Sequence, residues 1–260
     1  MTLRVEPLWG TIIGVDVRDG RDPAEVAAAI DDAFGWFARV DDLFSTWRAD
    51  SEVVRLGAGE LDLAGASPEV LGVLALCAEV RAETGGAYDY EFATRPGVEA
   101  RPGRAPLDPS GLVKGWALDR AARELWAGGL RDFSINAGGD VVVRGRAAPG
   151  EPWRVGVQHP WEKASVALVV AGTDIAVATS GQYEQPGHIV DPATGHAAAA
   201  FASVTVVGAD GARCDAYATA GVVRGEAIIR WIATLDDFEA AAISADGRVV
   251  LTPGFDRYRG

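Results

Sequence analysis

Cysteine is scarce in this chain of 260 residues: there are two, Cys77 and Cys214. Neither belongs to a CxxC pair or a Cys/His cluster, which argues against structural zinc and leaves two free thiols suited to a reducing compartment. Basic residues are also short, 24 Lys and Arg against 37 Asp and Glu, for a formal net charge of -13. A nucleic-acid surface needs clustered cations, so no nucleic-acid partner is expected, and an anionic small ligand would need a local remedy such as a metal ion. The start, MTLRVEPLWGTIIGVDV, lacks a basic segment followed by an apolar run and a cleavage site. No apolar run elsewhere is long enough to span a bilayer, so the expectation is a cytoplasmic protein without a membrane partner.

What is present is material for a core, since 48% of residues are hydrophobic. The length suits one core, so a single domain over residues 1–260 is expected. Alternating apolar residues in GTIIGVDVR signal a strand. Val26, Ile30, Phe34, Phe37 and Val40 recur at helical spacing behind Pro23, which opens that helix. A second helix has Ser67 as N-cap, Pro68 at its first position and Gly85 as its stop. The segment ATRPGVEARPGRAPLDPSG reads as a loop, and KGWALDRAARELWAGG as an amphipathic helix. Strands follow in DFSINAGGDVVVRG, PWRVGVQH, ASVALVVAG, DIAVATS and ASVTVVG. RCDAYATAGVVRG and GEAIIRWIATL then read as helices, and a hairpin turned at Asp246 and Gly247 closes the chain. Interleaved elements with recurrent hairpins indicate an α+β fold with a mixed or largely antiparallel sheet.

Four stretches carry polar groups suited to chemistry. In RCDAYATAGVVRG, Asp215 and Thr219 are four residues apart and share one helix face. From spacing alone, the favoured reading is a cap at Asp215 and a hydroxyl bonded back to a carbonyl at Thr219. Asn136, Gly138, Gly139 and Asp140 form a Gly-Gly turn, a plain turn or a close approach to a phosphate or flat ring. LDPSGLVKGWALD sets a Ser-Gly turn before a helix, either an anion site with Lys114 or a helix entry with a solvated lysine. In ATSGQYEQPGHIVDPATG, Ser180 and Gly181 end a strand, and His188 opens a short apolar strand among polar loop residues, where catalytic groups tend to lie. His159 and His196 have no comparable setting and are expected at the surface.

Taken in order, WGT, FSTWRADSEVVRL, TGGAYD, SGLVKGWALD, NAGGD, TSGQYEQPGHIVDPATG and CDAYATA resemble the ApbE family, the FAD:protein FMN transferases, across nearly the whole chain. The resemblance implies mixed, largely antiparallel sheets flanked by helices, in an ApbE-like fold related to the T-fold. It also implies Mg²⁺ bound by Asp215 and Thr219, with Val113 as a carbonyl donor. FAD would be held by Lys114, Asn136, Gly138, Gly139, Ser180 and Gly181, with Asp119 reaching its adenosine end. All-oxygen ligation suits Mg²⁺, which also supplies the positive charge an acidic protein needs at a pyrophosphate. The chain departs from the family pattern at Trp9, where Met is frequent, at Gly57, where Asn is frequent, and in a shortened Tyr90 to Pro106 region.

The implied reaction moves FMN from FAD to a Thr or Ser hydroxyl of an acceptor protein and releases AMP. His188 is the candidate to accept the hydroxyl proton, because its ordinary pKa lies near neutrality. Two alternatives share the same residues: an FAD pyrophosphatase, which uses water as the nucleophile, and a non-catalytic FAD-binding protein.

Overall fold

The computed structural model describes residues 1–92, 106–182, 189–198 and 200–260. Ten strands and six α-helices are interleaved along them. The strands are β1 (Thr2–Leu8), β2 (Thr11–Val17), β3 (Phe133–Ala137), β4 (Asp140–Arg144), β5 (Trp153–Gln158), β6 (Val166–Gly172), β7 (Ala176–Gly181), β8 (Ser203–Gly208), β9 (Phe238–Ile243) and β10 (Val249–Leu251). The helices are α1 (Pro23–Phe44), α2 (Glu52–Gly57), α3 (Pro68–Glu83), α4 (Ser110–Ala127), α5 (Gly211–Arg224) and α6 (Glu226–Ile232). Eight strands form one sheet in the order β1-β2-β3-β4-β7-β8-β9-β10, and β5 pairs with β6 separately. The expected mixed or largely antiparallel sheet is antiparallel in every ladder among the described residues.

The apolar runs of the central strands follow from burial on both faces. In β4, Val142 joins the core beneath the helices, while Val141 and Val143 pack on the opposite side with Trp153 and Phe255. β8 and β9 divide in the same way, with Val204, Val206, Ala240 and Ala242 under the helices and Val207 and Ala241 on the far face. A strand covered on both faces has no reason to alternate. The sheet is therefore the middle of three layers, with α1, α4 and α5 on one side and the β5–β6 ribbon on the other.

Local signals set the helix starts. The Asp22 side chain accepts from Ala24 N ahead of Pro23 at the start of α1, and Ser67 Oγ accepts from Val70 N ahead of Pro68 in α3. The glycine stop of α3 is a pair, Gly85 and Gly86, both at positive φ. The loop read between Ala93 and Gly111 lies mostly outside the described residues. Cys77 and Cys214 are buried free thiols, and His196 is exposed. His159 is half-buried, and its Nδ1 accepts from Trp161 N and Glu162 N in its own turn.

Candidate functional site

A cleft of about 840 Å³ opens where the β1–β2 turn, the end of α1, the start of α4, the end of β7 and the second and third turns of α5 converge. Of the eleven residues singled out from sequence, Val113, Lys114, Gly138, Ser180, Gly181, Asp215 and Thr219 line it. Residues 93–105 separate part of this wall from α4 in sequence, so the site is assembled by the helix–sheet packing.

Asp215 does not cap α5. The cap is Asp210, whose Oδ1 accepts from Arg213 N at 3.0 Å, while Asp215 sits in the second turn and is 3% exposed. There Oδ2 accepts from Gly115 N at 3.4 Å. Burial chiefly pushes its pKa up to about 7, the Lys114 ammonium opposes that rise, and the Asp140 carboxylate adds to it. A buried carboxylate held by one long backbone bond is poorly compensated and calls for a cation.

The Thr219 hydroxyl meets Ser180 Oγ at 3.0 Å, across from the end of β7. Close by, a Cβ on Gly111 would stand 3.2 Å from Thr219 Oγ1, and Gly111 has non-helical backbone angles at a kink in α4. Glycine at this point lets the α4 backbone approach the hydroxyl. Asp215, Thr219 and the adjoining α4 backbone therefore offer the hard oxygen donors that suit Mg²⁺. No group of three His, Cys, Asp or Glu side chains suited to a metal occurs among the described residues.

Lys114 Nζ lies 2.5 Å from Asp140 Oδ2, and the other oxygen of this 2% exposed carboxylate accepts from Thr179 N at 3.1 Å. Asp140 thus fixes the lysine against the β4–β7 seam. The β3–β4 turn has Gly138 and Gly139 at positive φ, closed by Gly139 N donating to Asn136 Oδ1 at 3.0 Å. A Cβ on Gly138 would meet Thr11 Oγ1 at 2.7 Å, so the turn packs directly on the β1–β2 turn. Asn136 and Gly139 shape this turn without lining the cleft. His188 lies outside the described residues.

Asp119 stands apart from these residues. It does not line the cleft. Its Oδ2 accepts from Gly211 N at 2.6 Å and Ala212 N at 3.3 Å, and Oδ1 faces Arg144 at 3.8 Å. It holds the start of α5. Burial, and then the nearby Asp210 carboxylate, push its pKa up to about 6.

The sequence reading named no aromatic group for the site, yet Trp9 and Trp47 line the cleft. Trp9 occupies positive φ in the β1–β2 turn, where Asn or Gly is the easier choice. Its indole donates to Phe37 O at 2.9 Å and sits edge-on to that ring. Trp47 is 77% exposed although it borders a cavity. A large apolar surface left open there suits stacking on a flat ring. Strain at Trp9 and exposure at Trp47 are properties of the folded chain; the sequence carried only the tryptophans themselves.

The comparisons with known proteins agree with this geometry. One relative, the FAD:protein FMN transferase of Rhodobacter capsulatus, is 38% identical over 156 residues, covering 56% of this chain and 30% of that protein. The chain thus accounts for about a third of that relative's length. Another FAD:protein FMN transferase, from Treponema pallidum, is 28% identical over 98% of this chain and 88% of its own. Among solved structures, the ApbE protein of Thermotoga maritima superposes with a TM-score of 0.85 at 21% identity, covering 100% of this chain and 99% of that one. The model of the ApbE family matches residues 9–95 and 91–242, and the chain belongs to that family.

Proposed function

We propose that this protein transfers FMN from FAD to a Thr or Ser hydroxyl of an acceptor protein, releasing AMP. The observation that carries the reading is the shared face of α5, which presents the buried Asp215 and the half-buried Thr219 into a cleft of about 840 Å³, a volume suited to a small-molecule ligand. In this reading Mg²⁺ is held by Asp215, Thr219 and backbone oxygen of the Gly111 to Val113 segment. Bound there, it supplies positive charge at the pyrophosphate, where negative charge grows as the phosphorus is attacked.

The remaining work falls to the chain's own groups. Gly138 and Gly181 let backbone come close to FAD where side chains would obstruct it. Lys114, steadied by Asp140, adds a second cation in a protein of net charge -13. Trp9 and Trp47 offer ring surface for stacking a flat ring system of FAD. His188 accepts the proton of the acceptor hydroxyl as it attacks.

The test is to incubate the purified protein with FAD and Mg²⁺, with and without a Thr- or Ser-bearing acceptor. AMP release together with covalent in-gel flavin fluorescence on the acceptor supports transfer. AMP and free FMN without acceptor labelling would identify a pyrophosphatase, and FAD binding without AMP would identify a binding protein. Chelating the metal should abolish transfer; undiminished transfer would remove Mg²⁺ from the site.

A further inference from the structure

Two helices meet at the cleft through a repeated four-residue spacing. On α4, Gly115 is followed four residues later by Asp119; on α5, Gly211 is followed four residues later by Asp215. The pairs are reciprocal. Asp119 Oδ2 on α4 accepts from Gly211 N on α5 at 2.6 Å, and Asp215 Oδ2 on α5 accepts from Gly115 N on α4 at 3.4 Å. The glycines make this possible. A Cβ on Gly115 would stand 2.0 Å from Gly211 O, and one on Gly211 would stand 3.0 Å from Gly115 O. The backbones are in contact at the crossing, and each carboxylate fastens its own helix to the other one.

We infer that Asp119 is a positioning residue for Asp215, setting where the α5 carboxylate stands relative to the start of α4. The inference rests on the proposed role of Asp215 as a metal ligand. A structural reason separates Asp119 from an ordinary cap. Asp210 already receives the amide of Arg213 from within its own chain segment, whereas Asp119 takes the amides of Gly211 and Ala212 from across the crossing. Asp210 therefore stabilises the helix start, while Asp119 also fixes its location. Arg144 at the end of β4 faces that carboxylate, 3.8 Å from Asp119 Oδ1. Because α5 is a rigid helix, a displacement at Gly211 is carried one turn on to Asp215.

The test compares Asp119→Ala with Asp119→Asn in the full chain, since Asn keeps an oxygen for the Gly211 and Ala212 amides. FAD binding is titrated against Mg²⁺ at a temperature where every form is folded, and amide exchange is followed over residues 211–217. The expected result is that Asp119→Ala raises the Mg²⁺ needed for half-maximal FAD binding by about 10- to 100-fold, the usual cost of losing a group that orients a metal ligand. Exchange at the start of α5 should quicken in the same variant, and Asp119→Asn should restore both. A lower melting temperature and faster exchange with an unchanged Mg²⁺ requirement would show a purely structural cap and overturn the inference. Unchanged exchange would show that the clamp does not hold α5 and would overturn it too. Metal-independent FAD binding in the wild type would instead refute the reading of Asp215 as a ligand, and this inference with it.

Discussion

Gly35 and Gly115 both lie inside helices, yet the same substitution should move stability in opposite directions at the two positions. Gly35 is exposed on α1, and a Cβ there would meet nothing within 4 Å. Gly35→Ala removes backbone freedom from the unfolded chain and should stabilise by roughly 0.5–1 kcal/mol. At Gly115 the same Cβ would stand 2.0 Å from Gly211 O, 2.4 Å from Gly211 C and 2.9 Å from Ala212 N. All three are backbone atoms, so no side chain can rotate away and the helices must part. Overpacking against yielding neighbours costs about 1–3 kcal/mol, and a rigid backbone puts Gly115→Ala at about 3 kcal/mol or above. For a chain of this size, that is a fall in melting temperature of roughly 6–12 °C, against a small rise for Gly35→Ala. Thermal unfolding followed by circular dichroism measures both, and FAD titration with Mg²⁺ should show weakened binding in Gly115→Ala alone, because Gly115 N is the donor to Asp215. Wild-type stability and wild-type FAD affinity in Gly115→Ala would refute the packing argument and the geometry built on it.

Three further outcomes are expected. The Asp119 carboxyl, raised to about 6 from its ordinary 3.8, binds its proton more tightly in the native state than in the unfolded one. Its contribution to stability is therefore present below pH 3.8 and is lost as pH rises to about 6, by on the order of 3 kcal/mol at most; subtracting Asp119→Asn unfolding free energies from wild type across pH 3 to 8 should show that decline, and a flat difference would contradict it. Trp47→Ala should weaken FAD binding by roughly 2- to 10-fold, the loss of one aromatic stack, with an unchanged melting temperature because the ring is exposed; isothermal titration and thermal unfolding check the two halves. His188→Ala should leave FAD and Mg²⁺ binding near wild type while transfer falls by about two to four orders of magnitude, the usual range for a lost general base, and near-wild-type transfer would exclude that role.

Much of the layout was legible because its signals are local. Caps at Ser67 and prolines at 23 and 68 depend only on neighbouring residues, and so do the Gly-Gly turn after Asn136 and the hairpin at Asp246 and Gly247. The first strand, β1, escaped for an equally physical reason. Its apolar Leu3 and Val5 point outward, 60% and 52% exposed, while Arg4 turns inward over the Phe34 ring, so its alternation runs against the usual sense. Within the site, the i and i+4 spacing placed Asp215 and Thr219 on one face, but spacing alone favoured a capping role that Asp210 fills. Ser180 against Thr219, Asp140 against Lys114 and Gly111 against Thr219 each join segments far apart in the chain. Such pairings are made by packing, and no local pattern announces them.

Asp119 and Asp215 show how identical local chemistry acquires different roles. Each stands four residues after a glycine, and each accepts a backbone amide from the opposite helix at the same crossing. What differs is the surroundings of the carboxylate beyond that bond. Around Asp119 the α5 amides of Gly211 and Ala212 take one oxygen, and Arg144 approaches the other. Asp119 stands away from the cleft lining, and the residue serves as a fastening. Around Asp215 the amide bond is long, Lys114 is drawn to Asp140, and the cleft opens alongside. Burial disfavours the bare anion, so its charge is best satisfied by a cation arriving from the cleft. A glycine-to-aspartate spacing therefore says where two helices touch; which aspartate meets a ligand is decided by which one the fold leaves beside open space.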